Sequence, residues 1–342
     1  MTAARQLVGM ERLKDEVRSR LAEVRAVPQG RAALWEFGLR DHDLRRLVRN
    51  ERLRRFHHHY LDGGWDELTA RAACAQAAYS GSVISHFTAA ELDGLSVWCD
   101  QRRPGAPAVG AIWLTRQPAA RRNQRRSDIV VRRAGLPRDE QLGALDFPRT
   151  TTARTVVDLA RELPFREAVV TADHALRRGV DPDALQLVLD RQHQWPGVRR
   201  ARETIAFADA RSESALESIA RAAFASGGLP APILQASFWT GSVWMPERVD
   251  FWWPEFRTVA EADGLAKYDG STAEDRRWQL RRGHLRDQRL SDRDVELVHF
   301  GWEDVAGDPG RLIHRLRTAF TRAERRTGEP PVWSAPSAHQ SQ

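Results

Sequence analysis

With 342 residues, 42% of them hydrophobic and 29% charged, the chain has the make-up of a globular protein with room for two or three domains. No apolar run approaches the roughly 20 residues of a membrane-spanning helix, and two cysteines, Cys74 and Cys99, are too few for a disulfide framework or a CxxC metal site. The net charge of +7 and a pI of about 10.3 favour a polyanionic partner over an acidic one.

That charge needs weighing. Of 53 basic residues only Lys14 and Lys267 are lysine, so an arginine bias runs through the whole chain whatever its role. The local clusters RRLVRNERLRR, RRNQRRSDIVVRR and RRWQLRRGHLR say more than the total, and they point to DNA. The opening MTAARQLVGMERLKDEV has no signal-peptide core, so a cytoplasmic location is expected.

In chain order, Met10, Leu13, Val17, Leu21 and Val24 recur at helical spacing over residues 10–25. RAALWEF predicts a short second helix ended by Gly38, and Asp41 is the expected N-cap of DHDLRRLVRN. In that third helix Leu44, Leu47 and Val48 form the buried stripe, leaving Arg45, Arg46 and Arg49 outward. RLRRFHHHYL reads as an extended pair. Helices, turn and wing make residues 1–69 a winged helix-turn-helix whose third helix would enter the major groove. A small helical domain with an arginine-rich surface is the plainer alternative. Of the three histidines, only His57 and His59 would share one face of a strand, too few for a metal without a carboxylate beside them.

Residues 70–205 form an expected α/β middle domain. Ser85 begins SHFTAAELDGL, AIWLTR and DIVVRR are strands, and TARTVVDLARELP, FREAVVTADHALRRG and DPDALQLVLDRQHQW are helices. Asp158 and Asp173 read there as surface or capping residues. Residues 206–325 begin with helix SESALESIARAAFASGG. Strands PILQASFW, ERVDFWW and RTVAEAD follow, then helix TAEDRRWQLRRGHLRDQRL, strand VELVHFGW and helix PGRLIHRLRTAFTRAERR. The Pro/Ser-rich tail 326–342 is expected to be disordered. The fold class is therefore α/β, more fully an α+β multidomain chain.

One stretch carries the chemistry. In RVDFWWPEFRTVAEADG a turn centred on Glu255 and Phe256 sets Asp250 across from Glu261, and period two places Asp263 on the face of Glu261. Facing carboxylates in apolar strands require a cation, a wet edge or a basic partner such as Arg248 or Arg257. Glu217 lies in a Ser-x-x-Glu capping box and Asp263-Gly264 suits a turn, so both also have purely structural readings.

SALESIAR, LPAPILQ, RVDFWWPE, VAEADGLAKY and HLRDQRL before VELVHFGWEDV resemble, in order and spacing, the very-short-patch-repair-endonuclease-like (Vsr-like) domain of the PD-(D/E)xK nuclease superfamily. LRDHDLRRLVRNERLRR, SHFTAAELDGL and TTTARTVVDLAR are similar to the winged-helix and middle regions of AbiEi-type antitoxin proteins. The resemblance implies a restriction-endonuclease-like C-terminal domain with Asp250 and Glu261 in the metal-binding positions. It adds Glu217 as the additional acid and Gln235 as a supporting polar group. Asp263 stands where the superfamily has its lysine, and Lys267 lies close enough in sequence to take that role. His59 replaces the glycine usual before the wing tyrosine, and Arg281-Arg282 stands where relatives often carry Glu.

The chemistry so implied is Mg²⁺- or Mn²⁺-dependent phosphodiester hydrolysis, with Asp250, Glu261 and Asp263 on the metal. Arg276, Arg277, Arg281 and Arg286 would clamp the DNA backbone. The alternative is a non-catalytic antitoxin-like regulator, of a toxin-antitoxin or phage-defence system, that keeps the nuclease fold as a scaffold and has a toxin as partner. No membrane partner is expected.

Overall fold

The structure, a computed structural model, describes residues 27–336 except 37, 108–109, 119–123, 126–127, 144–146, 240–241 and 264–284. The helix expected over 10–25, together with Lys267, Arg276, Arg277 and Arg281, lies outside the described residues. The fold is mixed α/β with three sheets among the described residues, an α+β multidomain arrangement. The chain divides into two compact units. One runs to Leu95 and resumes over Gln101–Leu159; the other takes Ser96–Asp100 and the described residues from Ala160 onward. The helices between 160 and 205 thus belong with the C-terminal region, not with the middle region where the sequence put them.

The first unit opens with β1 (Gln29–Gly30), α1 (Arg31–Glu36), α2 (Asp41–Arg49) and the hairpin β2 (Leu53–Phe56) and β3 (His59–Asp62), a small antiparallel sheet in the order β1-β3-β2. Leu34, Leu39, Leu44, Leu53 and Tyr60 form its core, with Leu47 and Val48 packed against it, so the expected stripe of α2 faces inward. Arg45, Arg46 and Arg49 lie outside that core, as the spacing requires. Asp41 does not cap the helix. Arg40 holds the N-cap position, and the Asp41 carboxylate is taken by Arg31 Nε and Trp35 Nε1, each at 3.0 Å. The Arg40 N–H is satisfied instead by Asp43 at 3.1 Å. His57 and His58 make the hairpin turn, with His57 at φ +53, which leaves only His59 on a strand.

Next come α3 (Glu67–Ala78), β4 (Ser82–Ile84), α4 (His86–Leu92), β5 (Ile112–Arg116), β6 (Gln124–Arg125), β7 (Ile129–Arg133), β8 (Gln141–Leu142) and β9 (Arg149–Thr150). The six strands lie in the order β6-β7-β5-β4-β9-β8. Small residues along α3 let it sit close on Ile84, Ile112, Leu114, Ile129 and Val131, and Leu61 of β3 joins the same cluster. The boundary expected at 69/70 therefore runs through a shared core. On α5 (Thr152–Glu162), Asp158 is fully buried and accepts from Arg154 Nε at 2.7 Å, while Arg154 Nη1 reaches Glu140 at 2.6 Å. The surface role expected for Asp158 is wrong: a buried carboxylate is tolerable only with such partners.

The second unit continues with α6 (Phe165–Arg177), α7 (Pro182–Arg191), α8 (Val198–Phe207) and α9 (Ala215–Ser226), then β10 (Ile233–Trp239), β11 (Trp244–Trp253) and β12 (Thr258–Ala262). Helix α10 (residues 285–291), β13 (Glu296–Phe300), α11 (Pro309–Ala323) and β14 (Trp333–Ser334) follow. The sheet order is β13-β12-β11-β10-β14, parallel between β12 and β13 and antiparallel elsewhere. Phe224, Phe251, Trp253, Phe300 and Phe320 pack edge-on or stacked between α9, the sheet and α11. Each such side chain contributes on the order of 2 kcal/mol or more on burial. Gly227 ends α9 where a Cβ would meet the Ile313 side chain of α11 at 2.2 Å, so any larger residue would have to displace it.

Two expectations fail in this unit. Asp173 is fully buried and paired with Arg221 at 2.7 Å. The tail is ordered at its start: Trp333 and Ser334 pair with Phe238 and Ser237, giving β10 an edge partner in place of exposed backbone.

Candidate active site

The turn sets the site. Pro254–Phe256 form a 3₁₀ turn, Arg257 takes a left-handed φ of +40, and the strands then pair Trp253 with Thr258, Trp252 with Val259 and Phe251 with Ala260. The paired residues of this ladder end there, with Asp250 and Glu261 the next residues along their two strands. On the other side of β11 the pairs Leu234–Phe251 and Ala236–Val249 bracket Gln235 opposite Asp250. In the parallel ladder Glu261 is paired with His299. Gln235 and Asp250 thus lie at one level on β10 and β11, and Glu261 and His299 at one level on β12 and β13. The sequence reading missed His299, and its only signal is a polar residue between Val298 and Phe300 in the strand ELVHF.

The strands do not alternate strictly here. Val249 packs with Trp252 and Val259, whereas Phe251 packs with Phe224. In–out alternation breaks at Asp250, beside Gln235, whose φ is +56. A left-handed glutamine in a strand costs about 1–3 kcal/mol and persists only where its surroundings enforce it. Past the Phe251–Ala260 pair, the Asp250 carboxylate accepts the Ala262 N–H at 2.8 Å, a side chain replacing a ladder bond.

Helix α9 brings Glu217 to this place. Its capping role is real: Ser214 Oγ accepts the Glu217 N–H at 3.2 Å and donates to Glu217 Oε1 at 2.7 Å, and the Glu213 N–H donates to Oε2 at 2.8 Å. Gln235 Nε2 also donates to Oε2, at 3.1 Å. A plain capping glutamate would be acidic. Burial first, and then the charge of Asp250, instead push the Glu217 carboxyl up to about 7. Between its ordinary 4.5 and about 7 the folded protein holds a proton that the unfolded chain has released, so stability falls as pH rises through that window. The total is on the order of 3 kcal/mol. In urea titrations from about pH 4.5 to 8, Glu217→Gln should flatten this slope; an unchanged slope would show that the carboxyl is not the group titrating.

Glu261, also buried, accepts from Arg286 Nη2 at 2.7 Å, and the same guanidinium nitrogen donates to the Arg248 carbonyl. Arg286 is therefore turned onto the acids and is not presented as an outward phosphate clamp. Asp263 is exposed, and its carboxylate lies 3.3 Å from His299 Nδ1, whose Nε2 faces Asp287 at 3.2 Å. The bond to Asp263, with help from Asp287, raises the His299 pKa above its ordinary value. Lys267 is outside the described residues.

Among the described residues no three His, Cys, Asp or Glu side chains form a ready-made metal cage. The donors at hand, Asp250, Glu261, Glu217 and the Gln235 amide, are all hard oxygen groups. That chemistry fits Mg²⁺ or Mn²⁺, which bind through one or two carboxylates and keep several waters. The pressure of Asp250 on Glu217 is the repulsion that such an ion would relieve.

No family model matches the chain. Two uncharacterized proteins of Mycobacterium tuberculosis, from strains CDC 1551 / Oshkosh and ATCC 25618 / H37Rv, are each 34% identical to it over 177 residues. The match covers 51% of this chain and 62% of each relative, so the chain spans under two thirds of their length. No helix among the described residues is long and apolar enough to cross a membrane.

Proposed function

We propose that the protein is a DNA-binding, metal-dependent endonuclease of the Vsr-like branch of the PD-(D/E)xK superfamily, with an AbiEi-like N-terminal region. The observation that carries this reading is Glu217, at a helix N-terminus, held by Gln235 of β10 and pushed up by the charge of Asp250 on β11. Asp250 and Glu261 are the groups that would hold Mg²⁺ or Mn²⁺. When bound, the ion supplies charge neutralisation at the phosphate and makes water a stronger acid. Glu217, with a pKa of about 7, can take up or release a proton at working pH, the condition for general acid–base catalysis. Gln235 holds the Glu217 carboxyl in one orientation through its amide. The test is plasmid, single-stranded DNA and RNA cleavage with Mg²⁺ or Mn²⁺ beside Asp250→Ala. Cleavage that survives in the variant, or none under any condition, rejects the assignment.

A second reading has its own support. Arg286 already neutralises Glu261 without a metal, as a scaffold no longer cleaving would allow. The protein would then be an antitoxin-like regulator acting through its N-terminal unit, with a toxin as partner. Either reading needs DNA binding by α2, whose Arg45, Arg46 and Arg49 point away from its buried stripe. Replacing all three by glutamine should weaken duplex binding. The slope of log affinity against log salt should fall by roughly 0.9 for each phosphate no longer neutralised. The same affinity and slope in the triple variant would remove α2 from the interface.

A further inference from the structure

Resting on the metal site just proposed, we infer that Arg286 is a built-in counter-cation that competes with the divalent ion for Glu261. The motive is geometric. Glu261 is 4% exposed, and the one nitrogen of Arg286 that touches it at 2.7 Å also serves the Arg248 carbonyl, so the guanidinium is tied to two elements of the sheet. The arginine side chain itself is 19% exposed. Helix α10 is seated by Leu290, which is fully buried against Trp252 and Val259, so Arg286 is delivered to this place by a packed turn of helix. Arg248, whose backbone receives Arg286, is paired through its own side chain with Glu213, next to the Glu217 cap. The positive charge is therefore built into the same constellation as the acids.

A carboxylate carrying a guanidinium is not open to a small cation. The ion must displace Arg286 from Glu261, and its apparent affinity falls by the fraction of molecules in which the pair is open. A pair closed about nine-tenths of the time lowers affinity about tenfold. Arg286 thereby acts as a positioning residue: it holds the Glu261 carboxylate in place, and it sets the threshold of metal concentration at which the site loads.

The experiment is isothermal titration of Mn²⁺ into the full chain, with melting temperature as a second readout, for wild type, Arg286→Gln, Arg286→Lys and Asp250→Ala. Glutamine removes the charge and, two bonds shorter, withdraws from Glu261 while remaining polar. The expected result is Mn²⁺ affinity about tenfold tighter in Arg286→Gln, with Arg286→Lys between it and wild type. Should the glutamine variant not fold, the lysine variant decides: affinity equal to or weaker than wild type overturns the inference. If Arg286→Gln binds Mn²⁺ no more tightly than wild type, while Asp250→Ala abolishes binding, the competitor role is wrong and the metal site stands. If no form binds Mn²⁺, both fall.

Discussion

Asp250→Asn is expected to remove most of the stabilisation that Mn²⁺ gives the wild-type protein. An ion that binds only the folded state stabilises it by roughly 2.7 kcal/mol at about a hundred times its dissociation constant. Asp250 is the group best placed to account for that response, because its charge acts on Glu217 and its carboxylate is held at the β11–β12 junction by the Ala262 N–H. The substitution has an opposite effect without metal. Asparagine still accepts the Ala262 N–H, so the strand junction is kept, though a neutral acceptor is weaker than a charged one. What disappears is the charge of Asp250 that helps to raise the Glu217 carboxyl to about 7. At about pH 8 both acids are ionised in the wild type and the variant escapes their repulsion; at about pH 5 Glu217 is protonated and there is little to escape. Metal-free Asp250→Asn should therefore gain stability relative to wild type at the higher pH and not at the lower, while losing both the Mn²⁺ response and any cleavage. Melting curves at the two pH values, with and without Mn²⁺, check this. A full Mn²⁺ shift in the variant, or an equal stability change at both pH values, would contradict it.

The hairpin register from Trp253–Thr258 to Phe251–Ala260 was legible because it depends only on local rules. A proline-led turn fixes the register, and every pair along the hairpin follows from it. Glu217 was legible from its own surroundings as a cap; its second role came only from the resemblance, since nothing near it in sequence announces Gln235. His299 was not legible as part of the site, and Arg286 was read as a clamp on DNA, not as the partner of Glu261, which lies 25 residues away. Asp158 and Asp173 show the limit from the other side. Helical spacing puts each on a definite face, but whether that face meets water or a buried arginine is decided by residues far off, for Asp173 an arginine 48 positions later. The expected in–out alternation at Asp250 failed because the backbone of Gln235 turns left-handed beside it, a property of a neighbouring strand.

That distant arginine sets the largest stability effect expected anywhere in the second unit. Arg221 Nη2 donates to both carboxylate oxygens of Asp173, at 2.7 and 2.8 Å; its Nη1 donates to the Phe207 carbonyl at 2.7 Å, and its guanidinium lies 4.1 Å from the Phe207 ring centre. Asp173 further accepts the Asp209 N–H at 2.8 Å. One guanidinium thus ties α6, α8 and α9 together. Arg221→Met keeps much of the apolar volume and strips Asp173 of its countercharge at a fully buried position, which should cost about 3–5 kcal/mol near neutral pH. Burial already raises the Asp173 pKa despite Arg221, and without the arginine it must rise further. Between the unfolded value of 3.8 and that higher folded one the native variant binds a proton that the unfolded chain does not, so the variant loses stability as pH rises and is damaged least in acid. Adding Asp173→Leu should restore much of the loss, because an apolar pair can replace a buried ion pair at little cost. Urea titrations of the two single variants and the double, at about pH 5 and 8, measure the coupling. A loss under about 1 kcal/mol for Arg221→Met, or no rescue by the second change, would show that the pair does not hold the helices. The functional consequence is specific: Arg221 lies one turn beyond Glu217 on α9, so a loosened Asp173–Arg221 tie frees the helix end that seats Glu217 against Asp250. The double variant should recover the Mn²⁺ response together with stability, whereas Arg221→Met alone should lose part of it even at temperatures where the protein remains folded.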